Sequence, residues 1–377
     1  MGVYQERGNA TVIKLMQNPT SSTNTTKNTL GSVIKLGIDV HATTYVVVMK
    51  IDSSSPQRAK RMKPEAFLLW VKELRSQCDS LHSCYEAGPF GYGLHRKLIT
   101  MGVDNHVIRP INWDTHGKNV KTDARDATQM VLSLDGYLRG NDRSFSVINV
   151  PTEQEERRRS LTRQRQTFIK ERGRAAKRGM SYGLYYDQPL PSGWWKPLNW
   201  NKLQDHLDDF LLALLEPLRA NCLHFDQLIA QVEKNIKSVE PERLLPKGMG
   251  YVLYEQIQRE VCNWDRFKNR KSVSSFTGLC PSEDTSANRR FQGSINKHGN
   301  RRLRHMLVEC AWLLIRWNPT YKAVVKWQDK LTDAKATKAS RKKIVVAIAR
   351  QFAVDWWRVQ TGQCTLEALG LVVKAAR

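Results

Sequence analysis

From Val33 onward the chain alternates short β-branched runs with amphipathic stretches. VIKLGIDV and TYVVVMKI, separated only by HAT, predict two strands joined as a hairpin. PEAFLLWVKELRSQ sets Phe67, Leu68, Val71 and Leu74 on one helical face. LHSCYE predicts a strand, FGYGLHRKLITMG a helix, NHVIRP another strand, and DARDATQMVLSLDGY a helix that closes the block near residue 150. Strands alternating with helices predict an α/β domain over residues 33–150 whose later strands are parallel.

The pattern then changes. EERRRSLTRQRQTFIKERGRAAKRG predicts a highly charged helix, with ten basic residues from Arg157 to Arg178 against one acid, Glu171. Beyond DQPLPSGWWKPLNW, the series Leu207, Leu211, Leu214, Leu218, Cys222, Phe225, Leu228, Val232, Ile236 alternates steps of three and four, the seam of a coiled coil or bundle. Pro217 should kink or break that helix. Residues 151–240 thus read as a basic helical, coiled-coil region forming an antiparallel hairpin, a plausible dimer contact. Residues 241–377 read as a mainly α domain. In it, LLPKGMGYVLYEQIQRE suggests a helix-hairpin-helix type of turn at Gly248 and Gly250, where backbone amides can approach a phosphate. A helix from about Arg302 ends at Asn318–Pro319, and RKKIVVAIARQFAVDWWR predicts another. The stretch TSANRRFQGSINKHGN between these regions has no apolar period and reads as a polar connector. Residues 1–32, rich in Ser, Thr and Asn, predict a flexible extension.

Charge narrows the function. Lys and Arg number 60 against 36 Asp and Glu, a formal charge of +24, which calls for a polyanionic partner, nucleic acid first. No apolar run approaches the ~18 residues a membrane span requires, and the amino terminus lacks a signal-peptide core, so the reading is a cytoplasmic protein of the cytosol or nucleoid without a membrane partner. The seven cysteines are scattered and unpaired in spacing, which argues against a disulfide framework or a zinc site.

Four acidic residues of the α/β block fall where chemistry could use them. Asp39 ends a strand, Glu86 ends a later one, and Asp123 and Asp126 share a face at the start of a helix. Singly, Asp39 could cap a turn and Asp123 could be an N-cap. Together at one sheet edge they would repel one another unless a divalent cation neutralised them, and carboxylate oxygens suit magnesium or manganese. Such ions serve in-line displacement at phosphodiesters.

GIDVHATTYVVVMK, CYEAGPFGYGLHRKLITMG, NHVIRP and KTDARDA resemble the N-terminal domain of DEDD transposases of the insertion-sequence one-hundred-and-ten family, whose fold is RNase H-like and similar to the RuvC resolvase. LLPKGMG and FTGLCPSEDTSANRRFQGSINKHGNRRLRHMLVECAW resemble the second block of that family, so the likeness spans most of residues 33–360. The resemblance implies Asp39, Glu86, Asp123 and Asp126 as a metal-binding quartet and Ser286 as a nucleophile that becomes joined to DNA. It further implies an RNA-guided recombinase in which a noncoding bridge RNA pairs with double-stranded target and donor DNA. The protein would act as a homo-oligomer, dimer or tetramer, with composite active sites. Ser282 and Ser294 lie close to Ser286, and Ala287 follows where the family commonly has glycine.

Arg289 and Arg290 suit a phosphate, because guanidinium meets phosphate oxygens in a fork. Arg157, Arg158, Arg159, Arg163 and Arg165 of the basic helix, with Lys247, Lys297, Arg301 and Arg302, read as nucleic-acid contacts. Trp194, Trp195 and Trp200 could stack on bases but read better as anchors of a loop on a core. Two other functions fit the same residues: a RuvC-like nuclease that uses water, and a nucleic-acid-binding scaffold without activity.

Overall fold

The computed structural model describes residues 32–111, 122–237, 243–286 and 289–376. The extension read over residues 1–32 lies, apart from Ser32, outside them. Two compact units emerge, residues 1–150 and 151–377.

In the first unit, β1 (Val33–Val40) and β2 (Tyr45–Ile51) form the expected antiparallel hairpin, and β3 (Lys60–Met62) extends it. After α1 (Pro64–Ser76) comes β4 (Ser80–Glu86), parallel to β1; after α2 (Gly93–Thr100) comes β5 (Asp104–Ile108), parallel to β4. The sheet order is β3-β2-β1-β4-β5. Ile34, Leu36 and Ile38 point to one face, into a core with Phe67, Val71 and Leu74 of α1. Lys35, Gly37 and Asp39 alternate onto the other face, which α3 (Asp123–Leu138) covers.

Gly37 is the hinge of that packing. A Cβ built there would come within 2.6 Å of Val131 N and 3.1 Å of Met130 Cβ, so only glycine lets α3 lie this close to β1. The helix runs antiparallel to the strand, its far end held at Lys35 and its first turn reaching the level of Asp39. At the far end the Lys35 ammonium sits 2.6 Å from buried Asp135, with Lys50 at 3.4 Å and Arg139 also paired to that carboxylate. Both lysines donate to the Asp52 carbonyl as well, so the buried cations are hydrogen-bonded and paired.

The second unit opens with α4 (Glu153–Tyr185), started by a capping box between Thr152 and Glu155. It packs antiparallel on α6 (Asp209–Lys237) through α5 (Pro197–Gln204) and a tryptophan-rich link. Trp194 and Trp200 are buried, and Trp195 donates to Asp226 at 2.9 Å, so these tryptophans anchor the hairpin. The seam of α6 is Leu211, Leu215, Cys222, Ile229, Val232 and Ile236: Leu215 and Ile229 are buried where spacing favoured Leu214 and Leu228. The helix also runs unbroken through Pro217. Proline there removes one hydrogen bond on an exposed stretch, where water can serve the freed carbonyl.

β6 (Arg243–Pro246) pairs with the C-terminal β9 (Val373–Ala376). The turn at Gly248 and Gly250 therefore leads from a strand, not a helix, into α7 (Tyr251–Val261). Gly248 has φ +90°, and a Cβ there would meet Trp317 at 2.5 Å. The remaining elements are α8 (Arg270–Thr277), the hairpin β7 (Pro281–Ser286) and β8 (Arg289–Ile295), α9 (Arg301–Trp317), α10 (Lys322–Val325), α11 (Gln328–Thr332) and α12 (Lys338–Gln360). A core of Ile257, Leu307, Leu314, Ile348 and Phe352 binds the helices of this part. Residue 240 is no break in packing, since Val232 and Ile236 of α6 join the same core.

Candidate active site

The edge of the first unit's sheet gathers the predicted carboxylates unequally. Asp39 lies near the end of β1, and the short β1–β2 connection, closed by a bond from His41 N to the Thr44 carbonyl, brings His41 back beside it. His41 Nε2 is 3.3 Å from Asp39 Oδ2 and 3.8 Å from Asp123 Oδ2. Ligand atoms of Asp39, His41 and Asp123 all lie within 4.8 Å of one another. Thr122, not Asp123, caps α3, its hydroxyl accepting from Arg125 N. That frees Asp123, as the first helical residue, to face Asp39 and Arg61, whose guanidinium is 3.1 Å away.

Asp126 stands one turn on, near enough to act on Asp39 through its charge. Glu86 ends β4, one step past the Ile38–Tyr85 pair of the β1–β4 register, and accepts from Ile111 N at 3.2 Å. Neither belongs to the tight group formed by Asp39, His41 and Asp123. Partial burial raises the Asp39 pKa; His41 opposes this, and the charges of Asp123 and Asp126 add to it. An uncomfortable carboxylate beside like charges, with oxygen donors and one imidazole converging, is the donor set a divalent cation would relieve. His41 and Arg61 escaped the sequence reading. His41 follows the end of β1 and is brought to Asp39 only by the turn into β2; Arg61 reaches the site only through β3 pairing.

In the second unit the stretch read as a polar connector is a β-hairpin. The reason is local: PSEDTS and RRFQGSI alternate weakly, and the pairing is fixed at the hairpin's root by Asn296 N to the Cys280 carbonyl (2.8 Å) and Lys297 N to that of Gly278 (3.2 Å). Ser286 is the last residue of β7, in register with Arg289, and Thr285 with Arg290. Ser282 donates across the hairpin to the Ser294 carbonyl at 3.0 Å, so its hydroxyl is engaged structurally.

The predicted nucleic-acid contacts divide. Arg163 forms a two-pronged pair with Glu260, 2.8 Å at each oxygen, and Arg165 donates to Glu233 at 2.7 Å. Both cations are engaged in helix packing, where α4 lies against α6 and α7: Glu260 is buried and needs a partner, while Glu233 is partly exposed. Arg159 reaches Cys262 Sγ at 4.0 Å, and the Arg158 carbonyl accepts from Arg259. Arg157 is 84% exposed, with Glu153 at 3.6 Å. Lys247 lies over the Trp317 ring at 5.5 Å, and Lys297, at φ +60°, shapes the turn into α9. Arg301 and Arg302 are exposed in the first turn of α9, which carries no acid, so they sit where the helix dipole repels cations and attracts phosphate.

Residues 246–326, from the end of β6 through the hairpin to α10, match the family model of the transposase IS116/IS110/IS902 family. The protein y4rJ of Sinorhizobium fredii, named as a transposase, is 28% identical over 319 residues, 77% of this chain and 78% of its own length. The transposase for insertion sequence element IS1533 of Leptospira borgpetersenii is 25% identical over 301 residues (74% of this chain, 84% of the relative). That for IS1111A of Coxiella burnetii is 23% identical over 344 residues (88% and 90%). The homologues of this chain are thus transposases. These relatives support a transposition enzyme acting on DNA. No helix among the described residues is long and apolar enough to cross a membrane.

Proposed function

We propose that this transposase is an RNA-guided DNA recombinase that cuts and rejoins strands through a covalent link to Ser286, aided by the carboxylates of an RNase H-like first unit. The observation that carries the reading is the convergence of Asp39 and Asp123 at one sheet edge, with Asp126 and Glu86 at its margins, in a chain whose homologues are transposases. Magnesium or manganese held by these residues would stabilise charge on the attacking and leaving oxygens. The chain's own residues supply the rest. Asp39 is fixed by β1, Asp123 by the Thr122 cap, and the His41 imidazole lies between the two carboxylates, 3.3 Å from Asp39 and 3.8 Å from Asp123.

The Ser286 oxygen forms a bond to phosphorus as the bond from phosphorus to a sugar oxygen breaks. The serine gives up one proton and the departing sugar oxygen takes one. One phosphodiester replaces another, so reversal onto a different sugar hydroxyl rejoins DNA without an outside energy source. Ser286 is favoured over Ser282, whose hydroxyl is spent inside the hairpin. Guidance by a bridge RNA, and action as a homo-oligomer, rest on the resemblance of both sequence blocks.

The test is a denaturing gel of labelled element-end DNA incubated with protein, RNA and magnesium. Wild type should carry label into a covalent protein band; Ser286→Ala and Asp39→Asn should not, while still binding RNA. An adduct retained by Ser286→Ala, or free hydrolysed ends alone from wild type, would replace this reading with the water-using nuclease. RNA recovered with the protein should be one discrete species encoded beside its gene.

A further inference from the structure

The arginines most conspicuous in the sequence are largely occupied. Arg163, Arg165, Arg172 and Arg174 each face an acid. The opposite situation holds around a cavity of 910 Å3 in the second unit, between α8, α12 and the root of the β7–β8 hairpin. Its walls carry Lys268, Arg270, Lys271, Arg350 and Arg358 against one acid, Glu283. Lys268, Arg270, Lys271 and Arg350 make no ion pair with any described residue. Arg358 has only the remote Asp355 at 3.8 Å, and that buried carboxylate already takes bonds from Tyr321 and Gln351. Like charges crowded without counter-charge are tolerated when the partner brings the anions.

The trough is longer than a single anion. Arg350, Val354 and Arg358 lie at i, i+4 and i+8 on α12, so the two guanidinium groups are separated by about 12 Å of helix. A second cavity of 420 Å3 continues it past Arg350, Gln351 and Arg358 to Lys322 and Lys326. The other wall, Cys280, Pro281, Glu283 and Gln292, belongs to the hairpin itself. Three residues beyond Glu283 the same strand ends at Ser286, about 10 Å along an extended chain.

We propose that this trough seats the sugar-phosphate backbone of a nucleic-acid strand, holding it along α12 and past the base of the serine-bearing hairpin. The proposal rests on the transposase reading for the purpose of such a strand, but not for its chemistry of recognition. None of its cations stands out in the sequence, because they come from two well-separated segments, Lys268 to Lys271 and Lys322 to Arg358. Its ligand is a chain of phosphodiesters, whether from duplex DNA or from single-stranded RNA.

The experiment uses the full chain and fluorescence anisotropy with two labelled probes, a short DNA duplex and a single-stranded RNA, across a salt series. Three proteins are compared with wild type: Arg350→Gln/Arg358→Gln, Lys268→Gln/Lys271→Gln, and the control Lys72→Gln, an exposed lysine of α1. For the probe that occupies the trough, each double variant should reduce the slope of log K against log salt by about 2 for duplex, or about 1.4 for single strands, since each phosphate neutralised by a cation accounts for about 0.9 or 0.7 of that slope. The control should keep the wild-type slope. The lysine pair is exposed and lies off α12, so it reports even if the arginine pair disturbs that helix. Wild-type slopes in both double variants with both probes would overturn the proposal, as would a wild type that binds neither probe. A reduced slope in a protein that never forms the Ser286 adduct would uphold the trough and defeat the recombinase reading instead.

Discussion

Gly37 shows how much one missing methyl can decide. It lies beneath α3 with no room for a Cβ, and the approach it permits carries Asp123 to the level of Asp39. Gly37→Ala should therefore push the helix off the strand. We expect a destabilisation of about 1–3 kcal/mol or more in urea unfolding and, on the metal site proposed above, weaker divalent-cation binding by calorimetry at protein concentrations where the variant remains folded. A variant as stable as wild type would show that α3 tolerates displacement. The strand-end acid Asp39 was legible from sequence because a charged residue interrupting an apolar strand is rare. The partner His41 was not singled out, since a histidine after a strand has no distinguishing spacing until the hairpin folds it back.

At the scale of elements, the long basic helix α4 changed meaning most. Its charge suggested a phosphate track, but its register on α6 and α7 turns several arginines inward. Glu260 makes the point: burial disfavours its charge, yet hydrogen bonds from Arg163 and Asn300 outweigh this and hold its pKa below the usual glutamate range. A depressed folded pKa means the stabilisation is fully present above the unfolded value, about 4.3, and is lost as pH falls through the lower folded value. Melting temperature measured from pH 6 downward should fall on the acid side in wild type. In Glu260→Gln it should start lower at pH 6 and lose less of its value on acidification. Parallel acid limbs would remove Glu260 from the account. Helix α6 carries a second lesson. The three-and-four spacing located the helix, but a helix buried on one side by α4 and on its end by the α7–α9 core selects Leu215 and Ile229 by packing, not by heptad position.

For the whole molecule, the 60 Lys and Arg divide between ion pairs with some of the 36 acids and cations without an acidic partner, and the second group makes up the net +24. The second class, around the α8–α12 trough and in the first turn of α9, should make the free protein strain against its own charge. Adding salt from low to physiological ionic strength should raise the melting temperature, and heparin should raise it further than sodium chloride at matched ionic strength, because it binds the clustered cations of the folded chain more tightly than the dispersed ones of the unfolded chain. A melting temperature that falls with salt would show that the internal pairs dominate instead.

Legible along the chain were the α/β alternation of residues 33–150, the long helices α4, α6, α9 and α12, the position of Asp39, Glu86, Asp123 and Asp126 near element ends, and the excess of positive charge. These are carried by period, composition and local capping, all of which are properties of neighbouring residues. Packing settles that Asp39 and Asp123 meet while Glu86 and Asp126 flank them, that Ser286 rides a hairpin, that Ser282 is engaged, and which of the described cations are already paired. Each of those depends on which distant strand or helix lies opposite, and a charge declares its role only when the group facing it is known.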